Sequence, residues 1–357
     1  MNVAVLGVGL IGGSIGLAAR QRASAHVRGY DPDERVRERA LALGAIDLAA
    51  SSVAEAVEGA EVVFVAAPVG ALVEIVGAAL DVAGPDCVVS DVGSTKRVLA
   101  DASADERFVG GHPLAGADTA GVEHARADLF AGAVWYLTPT SATAGVLYER
   151  LHRLLTSIGA QPTAIDATTH DRLLASVSHL PHVLANVLVA QVASTLGEAA
   201  DGRVPAVGPS FRDATRVAGA NSAIWTDIYL SNRDALLAAI DEHARRLAAV
   251  RAALADGDAE AVTAWNEAAR GDREKLLGAG LTGGAVAELR VSVPNSPGVV
   301  AQIALALGGA GVNIRDIALA PSEDNSQGVV ALWLDGARDA ARAGELIAAL
   351  GFPVAQA

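Results

Sequence analysis

A chain of 357 residues has room for two or three domains, and its 52% hydrophobic content excludes a disordered one. The formal charge of −14 disfavours nucleic acid as a partner, so an anionic small substrate needs locally placed Arg or Lys. A single cysteine, Cys87, excludes a disulfide framework and reads as a buried strand thiol.

Residues 3–6 are an apolar, β-prone run of the kind found in a central parallel strand, and Gly7-x-Gly9-x-x-Gly12 follows at once, with Leu10 and Ile11 opening a helix. Gly7 permits the tight turn. Gly9 lets backbone approach a pyrophosphate, and Gly12 lets the helix lie close on the sheet with its N-terminal N–H groups facing the phosphates. A second β-like run, residues 25–30, ends in Asp31, about twenty residues on, where an acid accepts the ribose hydroxyls. That carboxylate repels a 2′-phosphate, so NAD is the expected cofactor; capping the next helix at Pro32 is the alternative role.

The βαβ alternation continues through helices at 32–43, 54–59 and 70–79, strands at 61–66, 86–92, 107–110 and 134–137, and a helix at 144–158. It predicts an α/β, Rossmann-type doubly wound parallel sheet over residues 1–166. Strand signals then stop. Thr168 and Thr169 are placed to cap a helix over 171–196 that Pro181 interrupts, and helical runs follow at 222–230, 232–255 and 259–275. An all-helical domain over 167–278 is expected. Its apolar face around 183–192 exceeds what a monomer surface exposes, which predicts a homodimer; mutual burial of the helices inside one subunit is the alternative. Residues 183–193 are too short to span a membrane and contain Asn186 and Gln191, and the opening run lacks a basic flank, so a cytoplasmic chain without membrane partners is expected.

Beyond a glycine-rich break at 278–285, strand, helix, two strands, helix and strand follow within residues 286–357, the ferredoxin-like βαββαβ order.

Four polar clusters stand where propensity does not ask for them. Asp91-Val-Gly-Ser94-Thr-Lys96 ends a strand, which places Ser94 and Lys96 towards the cofactor crevice, or else makes Ser94 or Thr95 a helix cap. His112, set among glycines in Gly110-Gly-His-Pro-Leu-Ala-Gly116, suits a general base. His26, His124, His152 and His243 lie in polar or helix-surface contexts. His179 and His182 in Ser178-His-Leu-Pro-His182 lack an acidic or thiol partner, so no metal is assigned. Arg212 and Arg216 in Phe211-Arg-Asp213-Ala-Thr-Arg216 stand one turn apart and offer a guanidinium fork to a carboxylate, or form a solvated face with Asp213.

In this order and spacing, GVGLIGGS, DVGSTK, GGHPLAG, SHLPH and FRDATR resemble the prephenate dehydrogenase family, which includes arogenate dehydrogenases, from residue 1 to about Lys275. The tail resembles an ACT domain, an amino-acid-sensing module, through its PNSPG loop and GVNIRDI run. The resemblance implies NAD-dependent oxidative decarboxylation of prephenate, with His112 as base and Ser94 orienting it. Arg216 then holds the ring carboxylate, His182 faces the substrate side chain, and His179 and Asp213 support the pocket. It also implies an aromatic effector, most naturally tyrosine, at Asn295, Pro297, Gly298 and Asn313. In that reading the N–H groups at Gly298 receive the effector's carboxylate. Asp118 stands where relatives carry Glu or a polar residue and favours an ammonium, which keeps arogenate open as the substrate. A homoserine-dehydrogenase-like enzyme explains both ends of the chain but not GGHPLAG with SHLPH, and a non-catalytic NAD-responsive regulator does not need Ser94, His112 and Arg216.

Overall fold

The computed structural model describes residues 1–116, 119–197, 207–278, 286–321 and 327–356. Asp118 lies outside the described residues. The chain forms two compact units, residues 1–170 with 284–357, and residues 171–283.

In the first unit, β1 (Asn2–Leu6), α1 (Leu10–Ala23), β2 (His26–Tyr30), α2 (Glu34–Ala42), β3 (Leu48–Ala49), α3 (Val53–Val57), β4 (Val62–Val65), α4 (Leu72–Val82) and β5 (Val88–Asp91) build a parallel sheet of order β3-β2-β1-β4-β5. Its centre is apolar on both faces: Val3 to Leu6 and Val62 to Val65 are all buried, as strands covered by helices on either side must be. Cys87, at the entry to β5, is buried as expected, and burial pushes its thiol up to about 11.

The single sheet expected as far as residue 166 divides instead. After α5 (Arg97–Ala102) the chain touches β5 through one parallel bridge, Val89 to Phe108, and then forms a second sheet of β6 (Gly110–Pro113), β7 (Val134–Thr138) and β8 (Gln161–Ala164). β6 and β7 are antiparallel, whereas β7 and β8 are parallel across α6 (Gly145–Ser157). The physical reason is the connection: the described part of the segment between β6 and β7 carries only a short 3-10 turn, and without a crossover helix the chain returns antiparallel.

The next helix, α7 (Ala167–Leu174), starts earlier than Thr168 and Thr169 suggest, because Asp166 Oδ1 accepts the Thr169 N–H at 2.9 Å and serves as the cap. Pro181 does not interrupt it. A π turn over Ala175–His179 widens the helix just before the proline, whose nitrogen has no hydrogen to return to the preceding turn, and α8 (Leu180–Gly197) continues. The resulting helix, Ala167–Thr195, has the length and hydropathy of a membrane-crossing helix, contrary to the sequence expectation, and only 22% of its apolar window is buried within the chain. The second unit is completed by α9 (Pro209–Thr215), α10 (Ser222–Ser231), α11 (Arg233–Ala255) and α12 (Ala259–Gly278).

The C-terminal block, β9 (Val286–Pro294), α13 (Val299–Gly309), β10 (Ile314–Pro321), β11 (Gln327–Asp335), α14 (Gly336–Ala349) and β12 (Val354–Gln356), forms an antiparallel sheet of order β10-β11-β9-β12. This is the expected βαββαβ arrangement. Its core is continuous with that of the nucleotide-binding part: Leu147, Leu151 and Leu154 of α6 belong to one buried cluster with Val300, Ile303 and Leu307 of α13 and Ile317 of β10. Backbone meets backbone at this seam. A Cβ on Gly308 would lie 1.8 Å from the Ala164 carbonyl oxygen, so only glycine fits there. His152, expected on a helix surface, is fully buried in the seam near Asp316 of β10, and burial lowers its pKa to about 4.

Candidate active site

The glycine turn has the geometry that its spacing implies. Gly7 has φ +92°, and a Cβ there would lie 2.3 Å from the Ala66 carbonyl oxygen, while a Cβ on Gly12 would lie 1.9 Å from the Gly7 carbonyl oxygen. Both positions demand glycine for close packing. Gly9 differs, because a Cβ on it would meet no protein atom within 4 Å. The backbone is therefore open on the side where a pyrophosphate approaches, and α1 begins at Leu10 with no side chain capping its first turn, which leaves the N-terminal end of the helix to an anion. Asp31 accepts the Val8 N–H on Oδ2 at 3.2 Å and the Asp33 N–H on Oδ1 at 3.1 Å, so the acid at the end of β2 is fastened to the glycine loop. These residues fit a dinucleotide with an unphosphorylated ribose.

At the carboxyl end of β5 the polar residues separate into two roles. Ser94 is half-buried in the loop after the strand. The N-cap position of α5 falls on Lys96, without a side-chain cap bond, and not on Ser94 or Thr95. Lys96 does not face the crevice as its position suggested. Its ammonium is fully buried, forms an ion pair with Asp91, and donates to the Gly111 carbonyl at 2.7 Å.

His112 stands on β6 directly opposite Tyr136 of β7, on the same face of the second sheet. It is 8% exposed. Its Nδ1 lies 2.9 Å from Nε2 of His170, a fully buried residue of α7 that packs edge-on against both rings, with centroids 5.1 Å from His112 and 5.6 Å from Tyr136. For His112 to accept a proton at Nε2, its Nδ1 must carry the hydrogen and His170 must accept it. That arrangement leaves His170 as the tautomer protonated on Nδ1. The pair has the connectivity of a base and its orienting group, with an imidazole where other enzymes place a carboxylate.

The sequence does not single out His170. It is a lone histidine on a helix, distant from His112 along the chain, and its partner becomes visible only when β6, β7 and α7 are assembled.

The helical unit holds the second polar group. His179 is buried, with Nδ1 3.2 Å from Asn232 Nδ2, which itself donates to the Asp171 carbonyl at 2.7 Å. His182 stacks on Trp225 with ring centroids 3.5 Å apart, and partial burial followed by the nearby Arg216 guanidinium lowers its pKa. An imidazole beside a fixed cation stays neutral at physiological pH and presents a polar, uncharged edge. Arg216 follows α9 at its C-cap and is exposed, as are Arg212 and Asp213. Trp225 and Asn232 also escaped the sequence reading, since one aromatic and one amide on predicted helices carry no motif.

An open glycine turn with an acid at the end of the second strand, followed by a buried histidine paired with a second imidazole, fits an NAD-dependent dehydrogenase. Residues 15–163 match the family described as prephenate dehydrogenase, nucleotide-binding domain, and residues 166–267 match prephenate dehydrogenase, dimerization domain. A prephenate dehydrogenase of Bacillus subtilis (strain 168) is 33% identical over 361 aligned positions, covering 98% of this chain and 96% of the relative. Among solved structures, prephenate dehydrogenase from A. aeolicus in complex with hydroxyphenyl propionate and NAD+ is similar at a TM-score of 0.71 and 29% identity, covering 77% of this chain and 98% of that one. Synechocystis arogenate dehydrogenase is similar at a TM-score of 0.68 and 26% identity, covering 77% of this chain and 100% of that one. The chain belongs to the prephenate dehydrogenase family.

Proposed function

We propose that the chain catalyses the NAD-dependent oxidative decarboxylation of prephenate to 4-hydroxyphenylpyruvate, a step of tyrosine formation. The observation that carries this reading is His112, buried and held through Nδ1 by His170 on a sheet that follows a nucleotide-binding fold. NAD+, bound along Gly7, Gly9, Leu10, Ile11, Gly12 and Asp31, supplies the hydride acceptor. His112 Nε2 takes the proton of the ring hydroxyl, whose carbinol carbon gives up the hydride. The ring carboxylate departs as CO2, and the electrons of the broken C–C bond complete the aromatic ring. Aromatisation drives the reaction, so the protein needs only a base, an anion clamp and alignment. Ser94 orients His112 and the hydroxyl. In this assignment Arg216 holds the ring carboxylate through its planar fork, His182 faces the side chain of the substrate, and His179 and Asp213 support the pocket.

Arogenate is the second reading, favoured by the acid at position 118 and by the likeness to an arogenate dehydrogenase. Following NADH absorbance with prephenate, arogenate and homoserine separates the readings: turnover of prephenate supports the first, turnover of arogenate alone supports the second, and no turnover of either overturns both.

The C-terminal block is read as an ACT domain that binds an aromatic amino acid, most naturally tyrosine, near Asn295, Pro297 and Asn313. Asn313 supports this, because its amide oxygen is buried without a hydrogen-bond partner. Gly298 has another task. Its N–H donates to the Thr143 carbonyl at 3.0 Å, and a Cβ there would lie 2.5 Å from the Ser141 carbonyl oxygen, so this glycine docks the module on the loop before α6 rather than receiving a carboxylate. A homodimer formed through the apolar helix accounts for exposed Val177 and Val187, 61% and 56% accessible, and the match to a dimerization domain supports it. A cytoplasmic location fits that reading, with the helix covered by a second subunit in place of lipid.

A further inference from the structure

The buried ion pair Asp91–Lys96 has no part in the mechanism above, yet it grips the residue next to the base. β5 and the segment entering β6 run as parallel neighbours for one rung, in which the Val109 N–H donates to the Val89 carbonyl at 3.0 Å. In a parallel ladder the next rung two residues on would join the Gly111 N–H to the Asp91 carbonyl. The strands part there instead, and side chains complete the connection. Gly111 N–H donates to Asp91 Oδ1 at 3.1 Å, and Lys96 Nζ donates to the Gly111 carbonyl at 2.7 Å while paired with Asp91 Oδ2. Asp91 Oδ2 also accepts the Gly93 N–H at 2.8 Å, immediately before Ser94.

Both backbone polar groups of Gly111 are thus held by one carboxylate and one ammonium, each wholly buried. The two glycines let the neighbouring strands close in around this peptide: a Cβ on Gly111 would lie 2.6 Å from the Asp91 carbonyl oxygen, and one on Gly110 would lie 2.3 Å from Thr138 Oγ1. A buried ion pair is a poor source of stability compared with apolar residues of the same volume, so its retention calls for another reason.

We propose that Asp91 and Lys96 are positioning residues for the dehydrogenation: the pair replaces a missing ladder rung and fixes the peptide between Gly111 and His112, and with it the base, relative to the Ser94 loop. A misplacement of about 1 Å at a reacting group can cost on the order of 10²-fold in rate. The proposal rests on His112 being the base, and that assignment fails separately if His112→Asn alone turns over normally.

The test is a cycle built on the charge-neutral double variant Asp91→Asn/Lys96→Met, which leaves an acceptor for the Gly111 N–H, removes the donor to its carbonyl and strands no buried charge. It is made in the wild-type and His112→Asn backgrounds, and again with Lys96→Arg, which keeps the charge but moves the donor. Affinity for NAD+ is measured by quenching of tryptophan fluorescence, and kcat and KM by NADH absorbance. Expected for both variants are unchanged NAD+ binding, a kcat lower by about 10- to 100-fold with KM for prephenate within about threefold, and no further loss when His112 is already Asn. Normal kcat, equal losses in both backgrounds, or loss of NAD+ binding assigns the pair to folding alone and overturns the proposal.

Discussion

His170 Nε2 lies 2.9 Å from His112 Nδ1, and neither ring has room to turn away: His170 is fully buried and His112 nearly so. In the proposed mechanism His170 accepts the Nδ1 hydrogen of His112, which leaves Nε2 of His112 to take the substrate's proton. His112→Asn is expected to lower kcat by about 10² to 10⁴ while sparing NAD+ affinity. His170→Phe, which keeps a ring but removes the acceptor, should lower kcat by about 10- to 100-fold with little change in KM, because the base remains but its tautomer is no longer fixed. Steady-state kinetics of the two variants check this, and a normal kcat for His170→Phe removes it from the mechanism.

Arg216 is exposed at the end of a short helix. Replacement by lysine substitutes a point charge for a planar fork, so KM for prephenate should rise by about tenfold or more while KM for NAD+ stays constant. Equal increases in both constants would place the arginine outside the substrate site.

Asp31 serves two structures at once, the glycine loop through Val8 and the turn before α2 through Asp33. Asp31→Ser is expected to weaken NAD+ by about tenfold, and the same change with an added arginine nearby should move preference towards NADP+. Titrations with both nucleotides measure the shift; unaltered preference in the second variant sinks the ribose assignment.

His152 gives the pH dependence a sign. Its pKa falls from the usual 6.5 to about 4 in the folded protein, mainly through burial, so the unfolded chain binds a proton between those values when the native protein does not. Stability from this group is complete above pH 6.5 and is lost as pH falls towards 4, by at most about 3 kcal/mol. His152→Leu should lose less stability than the wild type between pH 7 and pH 5 in urea unfolding. Parallel pH dependence in the two proteins would show that another group governs acid lability.

Local rules made the first sheet legible. The glycine spacing, the acid after the second strand and the apolar runs each report on a backbone that repeats every few residues, and the structure places Gly7, Gly9, Gly12 and Asp31 accordingly. The C-terminal βαββαβ order was readable for the same reason. What escaped depends on contacts distant in sequence. Lys96 looks like a ligand-facing cation until Asp91 and Gly111 are brought round it. His170 looks like any helical histidine, and His152 like a surface one, until β10 covers α6. The early division of the sheet followed from a connection without a helix, which strand propensity does not record. Pro181 was misread because a proline ends a helix only when the helix cannot widen to accommodate it.

The contact of Gly308 with the Ala164 carbonyl has a consequence for how the chain tolerates change. Where two layers meet through side chains, rotamers absorb small displacements, but here peptide lies on peptide with nothing adjustable between. The C-terminal block therefore serves as an inner wall for α6 and β8, and a chain cut after α12 would leave Leu147, Leu151 and Leu154 facing water. A block attached in this way cannot be exchanged as a unit between enzymes without rebuilding the surface beneath it.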